Sequence, residues 1–145
     1  FRQPVGVAAV ITAGNFPVAV PAWYIVPALV CGNTIVWKPA EYTPALADAL
    51  ASLFINAGLP KGVLQVVHAD GPATSVGLEL ALAEGLVGKV GFTGSTAVGQ
   101  SIGELCGLDP TDTIVGLVYL GWPNSEPECP PRPAPDLAWI DIDAP

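Results

Sequence analysis

A chain of 145 residues with 13 Asp+Glu against 5 Lys+Arg carries a formal net charge of −8. That sign is wrong for neutralising phosphate backbones and excludes nucleic acid as a main partner. With 51% hydrophobic and only 12% charged residues, the composition excludes a disordered chain and supplies a core of about one domain's size.

Methionine is absent and the sequence starts at Phe1, so it reads as a processed product or a piece of something longer. Its three cysteines, Cys31, Cys106 and Cys129, are an odd number without CxxC spacing. That argues against a disulfide framework and against a zinc site, and it points to a reducing, cytoplasmic setting with no metal.

Residues 5–12 (VGVAAVIT) are rich in β-branched and small apolar side chains between turn residues and predict a buried strand. Gly14-Asn15-Phe16-Pro17 follows it. An Asn amide there either donates to a developing oxyanion or serves only as a turn residue. Residues 18–31 predict a helix whose start or middle is disturbed by Pro21 and Pro27. The stretch is the most apolar in the chain, yet its length falls short of the ~20 residues needed to cross a bilayer. It also lacks the basic flank of a signal peptide, so no membrane role is expected.

Residues 34–37 (TIVW) predict a second strand. Lys38-Pro39-Ala40-Glu41 then emerges at its carboxyl end, where open α/β sheets bind ligands. Lysine offers a cation and donors, and the glutamate can accept from two ribose hydroxyls; the alternative is a solvated ion pair. The next helix has readable ends, with Thr43 as N-cap, Pro44 at the first helical position and Gly58 as stop. Leu46, Leu50, Leu53, Phe54 and Ala57 are expected on its inner face. Residues 63–68 predict a third strand ending at His68, the single histidine, for which a surface or core role is expected rather than that of a catalytic base.

A helix over 73–83 should carry Val76, Leu80 and Ala83 inward. Residues 89–93 predict a fourth strand. Phe92-Thr93-Gly94-Ser95-Thr96-Ala97-Val98-Gly99 then places a glycine turn and a hydroxyl pair before a helix over 96–105, with Val98, Ile102 and Leu105 inward. Free amides at such a helix start suit a phosphate; equally, Ser95 or Thr96 is only a cap. None of the cysteines has the basic or helix-start surroundings that make a thiol nucleophilic.

The composition changes near Leu108. Of the 16 prolines, eight fall in residues 1–107 and eight in the shorter 108–145. Residues 113–120 and 137–142 are candidate extended segments around a Pro-rich run that cannot sustain a helix.

Gly14-Asn15-Phe16-Pro17, Gly32-Asn33-Thr34-Ile35-Val36-Trp37-Lys38-Pro39-Ala40-Glu41-Tyr42-Thr43-Pro44, Ala57-Gly58-Leu59-Pro60 and Phe92-Thr93-Gly94-Ser95-Thr96 with Gly99, in that order, resemble the aldehyde dehydrogenase superfamily. The resemblance covers 4–107 and implies an α/β, three-layer, Rossmann-like domain with a mostly parallel sheet. It places part of the family's nucleotide-binding domain in 1–107 and leaves 108–145 as a Pro-rich tail that does not match. The implied cofactor is NAD rather than NADP, because the Glu41 charge would repel a 2′-phosphate.

The cofactor-binding set the resemblance implies is Thr12, Ala13, Lys38, Pro39, Ala40 and Glu41, then Gly71 and Gly77 on the adenine side, then Phe92, Thr93, Gly94, Ser95 and Val98. Asn15 would be the oxyanion donor. Family members often have tryptophan where this chain has Gly14, so the resemblance implies a more open nicotinamide side here. The implied parent reaction is NAD-dependent oxidation of an aldehyde to an acid through a thiohemiacetal, in an enzyme expected to be a homo-oligomer. The family's Glu-Leu-Gly-Gly-Lys block and its nucleophilic cysteine are not matched in this sequence. A fragment inactive by itself, with a replaced or out-of-frame end, is therefore the expectation. The rival is a non-catalytic interaction or structural piece with no retained cofactor binding.

Overall fold

Four strands and four helices alternate along the chain in a computed structural model that describes residues 4–107. The expected segments 113–120 and 137–142, the Pro-rich run and Cys129 lie outside the described residues. Apolar runs with little charge form β1 (Val7–Ile11), β2 (Thr34–Lys38), β3 (Leu64–Val66) and β4 (Lys89–Phe92). All are parallel, in the order β3-β2-β1-β4. The third strand is shorter than its apolar pattern predicts, although Ile35 N–H still donates to the Val63 carbonyl and Val67 N–H to that of Trp37.

Register divides the sheet into two faces, because side chains alternate along every strand. Val10, Ile35 and Trp37 form one buried cluster with Ile25 of α1 (Ala19–Val30) and with Ala47 and Leu50 of α2 (Pro44–Asn56). Ile35 and Trp37 are almost fully buried, at 1% and 0% exposed. The other face presents Ile11, Lys38 and Phe92 on one rung, Ile11 being paired with each of the other two. Over that face lie α3 (Gly71–Ala83) and α4 (Thr96–Leu105), which completes the three layers.

Helix α1 runs through Pro27 without interruption. Pro21 stands in its first turn, where a missing N–H has no intrahelical partner to lose. No helix among the described residues is long and apolar enough to cross a membrane.

Three inner faces differ from expectation; on α4 the buried residues are Gly99 and Gly103, while Ile102 and Leu105 are half-buried and Val98 is exposed. On α2 the buried residues are Ala47, Leu50 and Ala51, with Phe54 packed against the cluster, while Leu46 and Leu53 are exposed. The stripe 47, 50, 51, 54 has the same helical period as the expected one but is rotated. Its two alanines let the helix approach the sheet closely, so the larger leucines turn out. On α3 only Leu78 is buried; Val76, Leu80 and Ala83 are exposed. The side of that helix turned to the cleft carries Thr74 and Ser75 beside Leu78, so apolar periodicity pointed elsewhere.

Candidate functional site

The carboxyl ends of β1, β2 and β4 open into a cleft of about 610 Å³, within the size range of small-molecule sites. Chain order explains its place. From β1 the chain steps outward to β2 and then β3, and crosses back to lay β4 on the other side of β1. The strand order reverses there, which is where open α/β sheets leave a ligand crevice.

Ile11, Thr12 and Ala13 enter the cleft from β1, and Lys38, Ala40 and Glu41 from β2. Phe92, Thr93, Gly94 and Ser95 enter from β4, with Val98 from α4. Eleven of the cofactor residues expected from sequence, Gly71 included, thus share one cavity. Pro39 is buried between two lining residues. Gly77 and the exposed Asn15 are not part of the lining. A Cβ added at Gly71 or Gly77 would meet nothing within 4 Å.

Several local contacts set the cleft's shape. Thr12, 4% exposed, accepts from Trp37 Nε1 through Oγ1 at 3.0 Å, and its backbone N–H donates to the Lys38 carbonyl at 3.1 Å. The ends of β1 and β2 are thereby tied together. Lys38 Nζ lies 3.4 Å from Glu41 Oε1; the lysine side chain is 14% exposed and the glutamate 55%. Glu41 therefore keeps most of its carboxylate surface free for another donor.

On the β4 side, Tyr24 OH donates to the Phe92 carbonyl at 3.1 Å and accepts from Thr93 Oγ1 at 2.8 Å. Ser95 is the N-cap of α4, its Oγ accepting from Val98 N–H at 3.4 Å. Capping uses an acceptor lone pair and leaves the hydroxyl proton as a donor beside the free amides of the first turn. Gly94 has no room for a side chain, since a Cβ there would stand 2.6 Å from Phe92 Cζ.

The space directly beside Gly14 is not empty. Tyr42 fills it: a Cβ at Gly14 would stand 2.5 Å from the ring carbon Cε2. Tyr42 also lines the cleft, as do Thr74, Ser75 and Leu78 of α3 and Ser101, Ile102 and Leu105 of α4. Sequence motifs marked none of Thr74, Ser75 or Ser101, and included Tyr42 without giving it a role. The spacing Gly71, Thr74, Ser75, Leu78 (i, i+3, i+4, i+7) was the available signal, a face whose hydroxyls hid its inward direction.

His68 Nε2 lies 2.8 Å from Asp48 Oδ1 at the surface, away from the cleft lining. Burial pushes the Cys106 thiol up from its ordinary value even though the residue as a whole is exposed, the opposite of what an attacking thiolate needs. No group of three His, Cys, Asp or Glu suited to a metal ion occurs among the described residues.

Residues 1–116 match the family model described as the aldehyde dehydrogenase family. The chain belongs to the aldehyde dehydrogenase family. Within it, phenylacetaldehyde dehydrogenase of Pseudomonas fluorescens is 51% identical over 106 residues, covering 73% of this chain and 20% of that protein. The chain thus spans about a fifth of the length of the curated aldehyde dehydrogenases it matches.

Among solved structures, an aldehyde dehydrogenase of Bacillus cereus in complex with NAD+ is 40% identical with a TM-score of 0.66, covering 72% of this chain and 21% of that one. An NADP-dependent enzyme of E. coli is 46% identical with a TM-score of 0.68 over the same shares. The family's Rossmann-like nucleotide-binding architecture agrees with the parallel sheet and its edge cleft.

Proposed function

We propose that this chain is the dinucleotide-binding part of an NAD-preferring aldehyde dehydrogenase whose whole form oxidises an aldehyde to a carboxylic acid. One observation carries the reading: Lys38 and Glu41 from the end of β2 and Ser95 from the turn after β4, more than fifty positions apart in the chain, line a single cleft at the carboxyl edge of the sheet. The donor set suits the cofactor. Glu41 can accept from ribose hydroxyls while Lys38 donates, and the first-turn amides of α4 with the Ser95 hydroxyl suit a diphosphate. When bound, the nicotinamide group supplies the hydride acceptor.

The preference for NAD follows from the largely exposed Glu41 carboxylate, which repels a 2′-phosphate more than the nearby Lys38 attracts it. Asn15, on the loop leaving β1, is the proposed oxyanion donor once the rest of the enzyme supplies the substrate. Burial holds the Cys106 thiol above its ordinary value, and the family's nucleophilic-cysteine motif is not matched in the sequence. The chain by itself is therefore expected to bind cofactor without turning over aldehyde.

Calorimetric titration of the full 145-residue chain tests this. Wild type should bind NAD more tightly than NADP, and Glu41→Ala should lose at least about tenfold in NAD affinity, the loss of a hydrogen-bonded charged acceptor. An absence of NAD heat, with persistent oligomers in sedimentation, would instead favour an interaction piece that uses exposed apolar residues such as Trp23 and Val30.

A further inference from the structure

We infer that Tyr42 is a cofactor-binding residue, its ring forming a lip of the cleft that covers the adenosine ribose beside Glu41. The inference rests on the dinucleotide reading above and deepens it by assigning a role to a residue for which the resemblance implied none. Tyr42 directly follows Glu41 and lines the same cleft. It is 76% exposed, so most of its ring is available to a ligand. Phe92, the other aromatic in the lining, is half-buried with its ring folded against Gly94.

The ring rests beside the backbone of the loop after β1. A Cβ at Gly14 would stand 2.5 Å from Tyr42 Cε2, 3.0 Å from Cζ and 2.8 Å from the Ala40 methyl. A side chain at position 14 would push the ring from this place. The loop after β2 therefore rests on the loop after β1 through this contact, with the hydroxyl-bearing end of the ring carried toward β1. That hydroxyl has no hydrogen-bond partner among the described residues.

An aromatic side chain anchored at one edge and open elsewhere loses little conformational freedom when covered, having only two torsions to fix. A ribose suits it. The sugar's C–H surface can lie on the ring while its hydroxyls reach the Glu41 carboxylate.

Calorimetry with NAD and with ADP-ribose, on the full chain and its variants, tests the assignment. Tyr42→Ala should weaken both ligands equally, by roughly three- to tenfold, the scale of one aromatic contact, and Tyr42→Phe should stay within about twofold of wild type. The thermal midpoint without ligand should match wild type in Tyr42→Phe, which keeps the ring's contact at Gly14. If Tyr42→Ala binds NAD as wild type does while Glu41→Ala does not, the Tyr42 assignment alone is overturned; a loss confined to NAD overturns its placement at the adenosine ribose. If wild type binds neither ligand, the dinucleotide reading fails and takes this inference with it. Should Tyr42→Ala not fold, Tyr42→Leu decides, since it keeps bulk without a ring and wild-type affinity there would refute the proposal.

Discussion

The Thr12 hydroxyl is among the few polar groups buried in the described residues, and it works as structure before any ligand arrives. By accepting from the fully buried Trp37 indole it ties the last turn of β1 to the end of β2, the two segments that deliver Ala13 and Glu41 to the cleft. Thr12→Val keeps the shape of the side chain but leaves the indole N–H buried without an acceptor. A loss of about 1–3 kcal/mol is expected, measurable by urea unfolding followed through tryptophan fluorescence. Asn33 plays a similar part at the opposite edge. Its Oδ1 accepts from Val5 N–H at 2.7 Å and its Nδ2 donates to the Ala28 carbonyl at 3.0 Å, so what reads locally as a turn residue also stitches the chain start to the end of α1.

Helices α3 and α4 form the outer wall of the cleft, and both begin with a side-chain cap. On α3 the cap is Asp70, whose Oδ1 accepts from Ala73 N–H at 2.8 Å; its charge also suits the positive end of the helix dipole. The helix consequently starts at Gly71, two residues before the sequence expectation, with Pro72 in its first turn. An Asp-Gly-Pro start is a legible signal, an acceptor before a residue that needs no partner. Since α3 buries only Leu78, little packing compensates for a lost cap. Asp70→Ala should cost about 1 kcal/mol. Amide exchange measured by mass spectrometry should quicken roughly fivefold within α3 while β1 and β2 keep their protection.

A ligand bound as proposed would join two parts of the described residues, because the cleft lies between the packed layer of sheet, α1 and α2 and the more lightly held wall of α3 and α4. A dinucleotide touching both should therefore stabilise the whole. Saturation at a hundred times the dissociation constant contributes about 2.7 kcal/mol. A thermal melt with NAD should shift upward, more than with NADP at equal concentration, and Glu41→Ala should abolish most of the difference. Equal shifts with both cofactors would remove the charge-based preference for NAD.

Much of this protein is legible along the chain. Strand runs, the glycine and proline punctuation, the Thr43-Pro44 start of α2 and the Ser95 start of α4 all depend on backbone preferences within a few neighbouring residues. The motif residues Lys38, Glu41 and Ser95 stand out because each lies at or within three residues of a strand's carboxyl end. Facing directions and meetings at a distance were a different matter. Whether Leu46 or Ala47 turns inward depends on how near the sheet allows α2 to come, and whether Gly14 opens the cleft depends on a tyrosine 28 positions away. Packing settles such choices among side chains of similar polarity, and packing partners exist only once the strands are side by side.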